Sequence, residues 1–208
     1  MLKRIGALLA AVLLALLAPL AAVAARGEHT FSSDFGYQLP LPDGWVRLDQ
    51  RTLAAILNRY GEETAALKGF SQAKLDIYKK SRSELYVSAD CAATVKVTLL
   101  DAAFITTLEQ LSTYEKTIAT VLEKSGARNV QVKGVTAQGA QSFYRVDYAR
   151  GDSPPMSTYL LIAGSTLYCI TFAGMAEDQA SAVLTGFGLF DPRPAQTQTR
   201  PSRANPNP

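Results

Sequence analysis

The sequence predicts an α+β domain in which helices pack on a largely antiparallel sheet. Three observations predict it. Four strand-like segments joined by short turns run from Val130 to Ala173, an amphipathic helix precedes them between Thr107 and Ser125, and further helical segments stand before and after. Connections this short suit antiparallel neighbours, because a parallel pair needs a crossover of a dozen or more residues.

The chain opens with Lys3 and Arg4 and then runs through Leu and Ala from Ile5 to Ala18. Pro19 interrupts that run, and Ala22, Val23 and Ala24 supply the small residues that a signal peptidase reads. Residues 1–24 therefore read as a secretory signal peptide, cut after Ala24 so that the mature chain begins near Ala25. The alternative is an uncleaved anchor, since the apolar run approaches the roughly 20 residues that span a bilayer. No later segment is long and apolar enough to cross a membrane, so the expected localisation is exported, periplasmic or secreted.

Residues 26–190 have the length of a single domain with a substantial core. Tyr37 to Trp45 begins as a strand, which Pro40 and Pro42 are expected to end because neither donates a backbone hydrogen bond. Asp43 and Gly44 then turn the chain. A helix follows with Asp49 near its N-cap, an apolar face of Leu53, Ile56, Leu57 and Tyr60, and a break at Gly61. Glu62 to Arg82 is weakly helical. Leu85 to Leu100 reads as a hairpin whose turn, Asp90 to Ala93, holds Cys91.

In the helix from Thr107 to Ser125, Thr106 and Glu109 have capping-box spacing, and Leu111, Tyr114, Ile118, Val121 and Leu122 form the apolar stripe. Gly126 stands where a left-handed cap is wanted. Strands are expected over Val130–Thr136, Gln141–Ala149, Ser157–Ala163 and Thr166–Ala173. A last helix from Ala176 to Thr185 carries Glu177 and Asp178 in its first turn, where negative charge suits the helix dipole. Residues 191–208 mix five prolines with polar residues and read as a disordered tail.

Charge excludes one class of partner. Between Arg26 and Phe190 sixteen Lys and Arg stand against seventeen Asp and Glu, which leaves no basic footprint for nucleic acid. The two cysteines, Cys91 and Cys169, are a candidate disulfide in an oxidising compartment, with two buried free thiols as the alternative.

Motifs for catalysis, metal or cofactor are not evident. His29 is the only histidine and falls at the expected mature N-terminus, where chains are poorly ordered. The adjacent acidic pairs Glu62–Glu63 and Glu177–Asp178 point to different sides of their helices and read as solvated ends. Gly134 and Gly139 lie between strands, with no helix opening after them to make a phosphate fingerprint. Tyr144, Tyr148, Tyr159 and Tyr168 fit strand packing better than a ligand platform. Asp147, Tyr148 and Arg150 are close in sequence, but alternation along a strand sends Asp147 and Tyr148 to opposite faces.

Tyr37, Leu39, Pro40 and Trp45, then Gly139 (or Gly134 in a shifted register) with Tyr144 and Tyr148, then Tyr168, Ile170 and Phe172 with the helix to Phe187, together resemble the PsbP-like superfamily. This superfamily takes in the extrinsic photosystem protein, a Ran-binding import factor and DcrB-like periplasmic proteins. Its usual Ser-Phe pair near the end is Gly186–Phe187 in this chain. The resemblance implies an α/β/α sandwich around an antiparallel sheet. It further implies a non-catalytic accessory or assembly factor binding a protein partner of the cell envelope, and transfers no active-site residue. A small-molecule or lipid carrier with a large apolar pocket is the alternative.

Overall fold

The structure is a computed structural model that describes residues 28–61 and 71–191. The expected signal segment with its expected cut between Ala24 and Ala25, residues 62–70 and the tail beyond Asp191 lie outside the described residues.

The molecule is built on a seven-stranded antiparallel sheet in the order β3-β4-β5-β9-β8-β7-β6, with a three-stranded sheet β1-β2-β10 laid against one face. In the small sheet, β1 (Glu28–Ser33) pairs with β2 (Tyr37–Pro42), and β10 (Gly188–Leu189) adds to the other side of β2. In the large one, β3 (Val46–Arg47), β4 (Ser83–Val87) and β5 (Thr94–Asp101) follow one another. β6 (Ala127–Gln138), β7 (Gln141–Arg150), β8 (Met156–Ala163) and β9 (Thr166–Ala173) then form the expected meander, which docks β9 on β5. The helices are α1 (Gln50–Tyr60), α2 (Gln72–Lys80), α3 (Leu108–Thr113), α4 (Glu115–Lys124) and α5 (Glu177–Thr185). The α+β class is therefore observed, and the outer layer on one face is mixed, α5 lying beside the small sheet.

Pro40 and Pro42 do not end β2, contrary to the sequence expectation: they pair in register with Thr30 and Glu28. Parity explains it. Phe190 N donates to Gly36 O at 2.9 Å, so the even-numbered residues of β2 turn their backbone polar groups toward β10. β10 has begun only opposite Gln38, so the missing N–H groups of Pro40 and Pro42 face a side with no partner strand among the described residues. The odd-numbered Tyr37, Leu39 and Leu41 face the large sheet and are fully buried.

The main core lies between the two sheets, where these three meet Val95, Val97, Ile170, Phe172 and Tyr159, with Val183, Leu184 and Phe187 closing the side. Phe187 stacks on Tyr37 with ring centroids 5.7 Å apart. Gly186 sits on the Pro40 ring: a Cβ there would lie 2.7 Å from Pro40 Cγ.

Asp49 caps α1 as expected. Its Oδ1 accepts from Arg51 N and Thr52 N at 2.8 Å, while Asp49 N donates to Thr52 Oγ1 at 2.7 Å. The long helix predicted from Thr107 is instead two, α3 and α4, broken at Tyr114 (φ −104°, ψ 11°). The predicted Thr106–Glu109 box is replaced by Gln110, whose Oε1 accepts from Thr106 N at 2.8 Å. The break rotates the stripe, so that Leu111 is buried while Tyr114 and Val121 are exposed. Gly126 has the left-handed φ of 89° after α4.

Candidate functional site

The second face of the large sheet is covered from both ends but not in the middle. At one end α1 and α2 bring Leu48, Leu53, Ile56 and Leu75 onto Leu85 and Val87 of β4. At the other, α3 and α4 cover Tyr144, Val146, Leu160 and Leu167, with Leu111 buried against them. Between the pairs runs a groove of about 330 Å³. Thr94 and Lys96 of β5 and Thr171 of β9 form its floor, Lys74 and Tyr78 of α2 one wall, and Tyr148 and Arg150 of β7 the other.

Strand register builds this floor. Leu85, Lys96, Thr171 and Thr158 stand side by side across β4, β5, β9 and β8. The hydroxyls of Thr158 and Thr171 are 2.9 Å apart, and Tyr148 Oη lies 3.3 Å from Thr158 Oγ1. Arg150 Nη2 donates to Ser125 Oγ at 2.7 Å, which ties that wall to the end of α4. Lys96 Nζ lies 5.8 Å from the centre of the Tyr78 ring. Burial, reinforced by Arg150 and opposed by Cys169, holds the Lys96 ammonium below the ordinary lysine range. Among the described residues the groove is thus lined by three cations and by no carboxylate.

A separate polar cluster joins the two sheets. The Glu84 carboxylate accepts the O–H groups of Tyr37 and, at 2.8 Å, of Tyr86, and Arg47 pairs with its other oxygen at 3.4 Å. Burial above all, with the Glu84 charge adding to it, pushes both phenols far above the usual tyrosine range. Both tyrosines stay neutral donors, and the cluster acts as a polar clamp between β2 and β4.

Cys91 and Cys169 are free thiols in the structure. Cys91 is buried under α1 in the β4–β5 turn, and Cys169 pairs with Thr98 in mid-sheet. His29 is not in a frayed terminus. It lies exposed in β1, edge-on to Phe31 at 4.5 Å, and the sequence missed that strand because its residues alternate weakly. Glu177 is not merely a solvated helix end, since it pairs with Arg145, which also holds Asp147 at 2.8 Å. Asp147 is thereby engaged with α5, while Tyr148 and Arg150 line the groove. Tyr144, Tyr159 and Tyr168 are buried packing residues. No group of three or more His, Cys, Asp or Glu among the described residues is placed to hold a metal ion. No helix among them is long and apolar enough to cross a membrane.

Sequence reasoning named Tyr148 and Arg150 but missed the groove's other residues, Lys74, Thr94, Lys96 and Thr171. The available signal was the segment Thr94–Asp101, in which Thr94, Lys96 and Thr98 alternate with Val95, Val97 and Leu99. It marks a central strand with one polar face and a lysine in the middle of it.

An antiparallel α+β domain with a groove between two helix pairs is the class that fold and site define. No protein-family model and no curated protein matches the sequence. Among solved structures, the chain is similar to the cyanobacterial PsbP of Synechocystis, at 15% identity and a TM-score of 0.46, over 81% of this chain and 95% of that one. It is similar also to the Ran-binding protein Mog1p of Saccharomyces cerevisiae, at 10% identity and a TM-score of 0.46, over 80% and 97%. A structure from Bacteroides thetaiotaomicron matches at 11% identity and a TM-score of 0.41, over 80% of this chain and 49% of its own.

Proposed function

We propose that the protein is an exported, non-catalytic accessory factor that binds a protein partner at the cell envelope. The export half rests on the basic, apolar and small-residue order of residues 1–24. The binding half rests on Phe104, which is 96% exposed at the turn between β5 and α3. That turn is anchored: Ala102 N donates to Ser165 O at 2.8 Å, Ala103 N to Asp101 Oδ1 at 3.0 Å, and Ile105 N to Ala102 O at 2.9 Å. A wholly hydrated phenyl ring forgoes about 1.5–3 kcal/mol of burial, and an aromatic held out on a fixed turn is the kind of anchor that dominates protein interfaces. Leu100, at the end of β5 next to the turn, is also exposed.

The lipid-carrier alternative calls for a large apolar cavity. The space between the sheets is instead filled by Tyr37, Leu39, Leu41 and Leu184, all fully buried, and the open groove is lined by lysines, an arginine and hydroxyls.

The test is capture from envelope extracts of the producing organism, with the chain and its Phe104→Ser variant as baits. The expected result is a reproducible protein partner that Phe104→Ser no longer retains, with an unchanged unfolding temperature. A partner held equally by both baits, or none at all, overturns the reading.

A further inference from the structure

Lys96 presents an electrostatic problem that the chain leaves open. Its ammonium stands on the floor of the groove, half-buried between Leu85 and Thr171 in register, and no carboxylate among the described residues pairs with it. Taking an ammonium partly out of water without a counter-charge costs stability, and the cost is relieved by an anion from solution. Lys74 and Arg150 face the same space from the two walls, and Thr94 and Thr171 offer hydroxyl donors at its base. Asp76, Asp147 and Asp152, the acidic residues nearest in sequence to the walls, do not line it.

We propose that this groove is a binding site for a compact phosphate-bearing ligand, inorganic phosphate or a small phosphomonoester, with Lys96 as the central contact and Lys74 and Arg150 as flanking ones. The charge count favours a dianion, since three cations converge on one opening with nothing on its lining to offset them. Size sets the upper bound: about 330 Å³ is at the small end of ligand pockets, enough for a phosphate with a few carbon atoms. Such carbons would meet Leu85, Met156 and Ala173 on the lining. The site is independent of the Phe104 turn, which lies beyond the other end of β5.

The experiment is isothermal titration of the purified full chain with inorganic phosphate and, separately, with glycerol 3-phosphate, in chloride buffer at matched ionic strength. Binding of one equivalent is expected, weakened about tenfold or more in Lys96→Gln and several-fold in Arg150→Gln, and retained in Lys96→Arg. Tighter binding of glycerol 3-phosphate assigns the site to an organic phosphate, and tighter inorganic phosphate assigns it to the free ion. No saturable heat with either probe overturns the proposal. So does affinity that is unchanged in Lys96→Gln, or, where that variant does not fold, unchanged in Arg150→Gln. Arg150 is exposed, so its variant keeps the question open to refutation even if replacing Lys96 unfolds the chain.

Discussion

Replacing Gly174 by alanine should destabilise the domain far more than the same change at Gly164, although both glycines have left-handed backbones, with φ of 70° and 59°. The left-handed conformation costs an alanine about 1–2 kcal/mol at either site. At Gly164, in the two-residue β8–β9 turn, a new Cβ meets nothing within 4 Å, so that cost stands alone. At Gly174, immediately after β9, the Cβ would lie 2.4 Å from Ala92 O and 3.3 Å from Ala93 Cα. Both neighbours are backbone, so the β4–β5 turn must retreat by about 0.6 Å to restore a tolerable contact. That turn resists. Ser88 N bonds Ala93 O at 3.0 Å, Ala93 N bonds Ser88 Oγ at 2.9 Å, and the Asp90 carboxylate accepts from Ser88 Oγ at 2.6 Å and from Ala92 N at 3.1 Å. Overpacking of this kind adds about 1–3 kcal/mol, for a total of about 2–5 kcal/mol at Gly174 against about 1–2 at Gly164. Urea unfolding of both variants beside the parent measures the difference. Losses equal within about 0.5 kcal/mol would refute the steric argument, because the backbone cost is common to both.

Three further outcomes are expected. Leu184→Ala, at a fully buried site under the small sheet, should cost about 2–5 kcal/mol in the same unfolding assay, whereas a loss below 1 would mean that the core there collapses freely. Asp49→Ala should cost about 1 kcal/mol by removing the α1 cap. Hydrogen bonds from Thr52 above all hold the Asp49 carboxyl below its usual range, so the cap's contribution is complete above the unfolded-state value of 3.8 and disappears as pH falls through the lower folded one. A parent and an Asp49→Ala variant that lose stability in parallel through that window would contradict this. Burial pushes the Cys169 thiol up to about 12, against 9.0 unfolded, so stability is unaffected below pH 9 and declines as pH rises from there toward 12. At pH 8 a disulfide-exchange reagent should react with neither cysteine until the chain is unfolded, and rapid labelling of the folded protein would show that the sheet face is open.

Much of the fold could be read from residues whose signals are local. Asp49 and Gly61 bracket α1, and the turn glycines from Gly139 to Gly164 space the meander, because caps and tight turns are decided within a few positions. The small sheet could not be read in this way. β1 is exposed on most of its residues, β10 has only two, and the prolines of β2 argue against a strand until its unpaired side is known. The groove was hidden for a related reason. Lys96 and Thr171 become neighbours only through the β5–β9 pairing, while Lys74 arrives on a helix from elsewhere in the chain. Spacing along the sequence carries no record of that convergence.

The order of the strands also sets a timetable. β5 lies inside the large sheet, yet its second neighbour is β9, and Thr94 waits for Ala173. β2 waits longer, since Gln38 meets Gly188 only when the last described strand is present. Pairings between such distant positions form late, because the entropy of closing the intervening chain is lost before the contacts can offset it. A nascent chain emerging from its N-terminus can therefore make the β4–β5 hairpin but not the sheet that buries it. Both sheets close only when β9 and β10, near the end of the described residues, are present to pair.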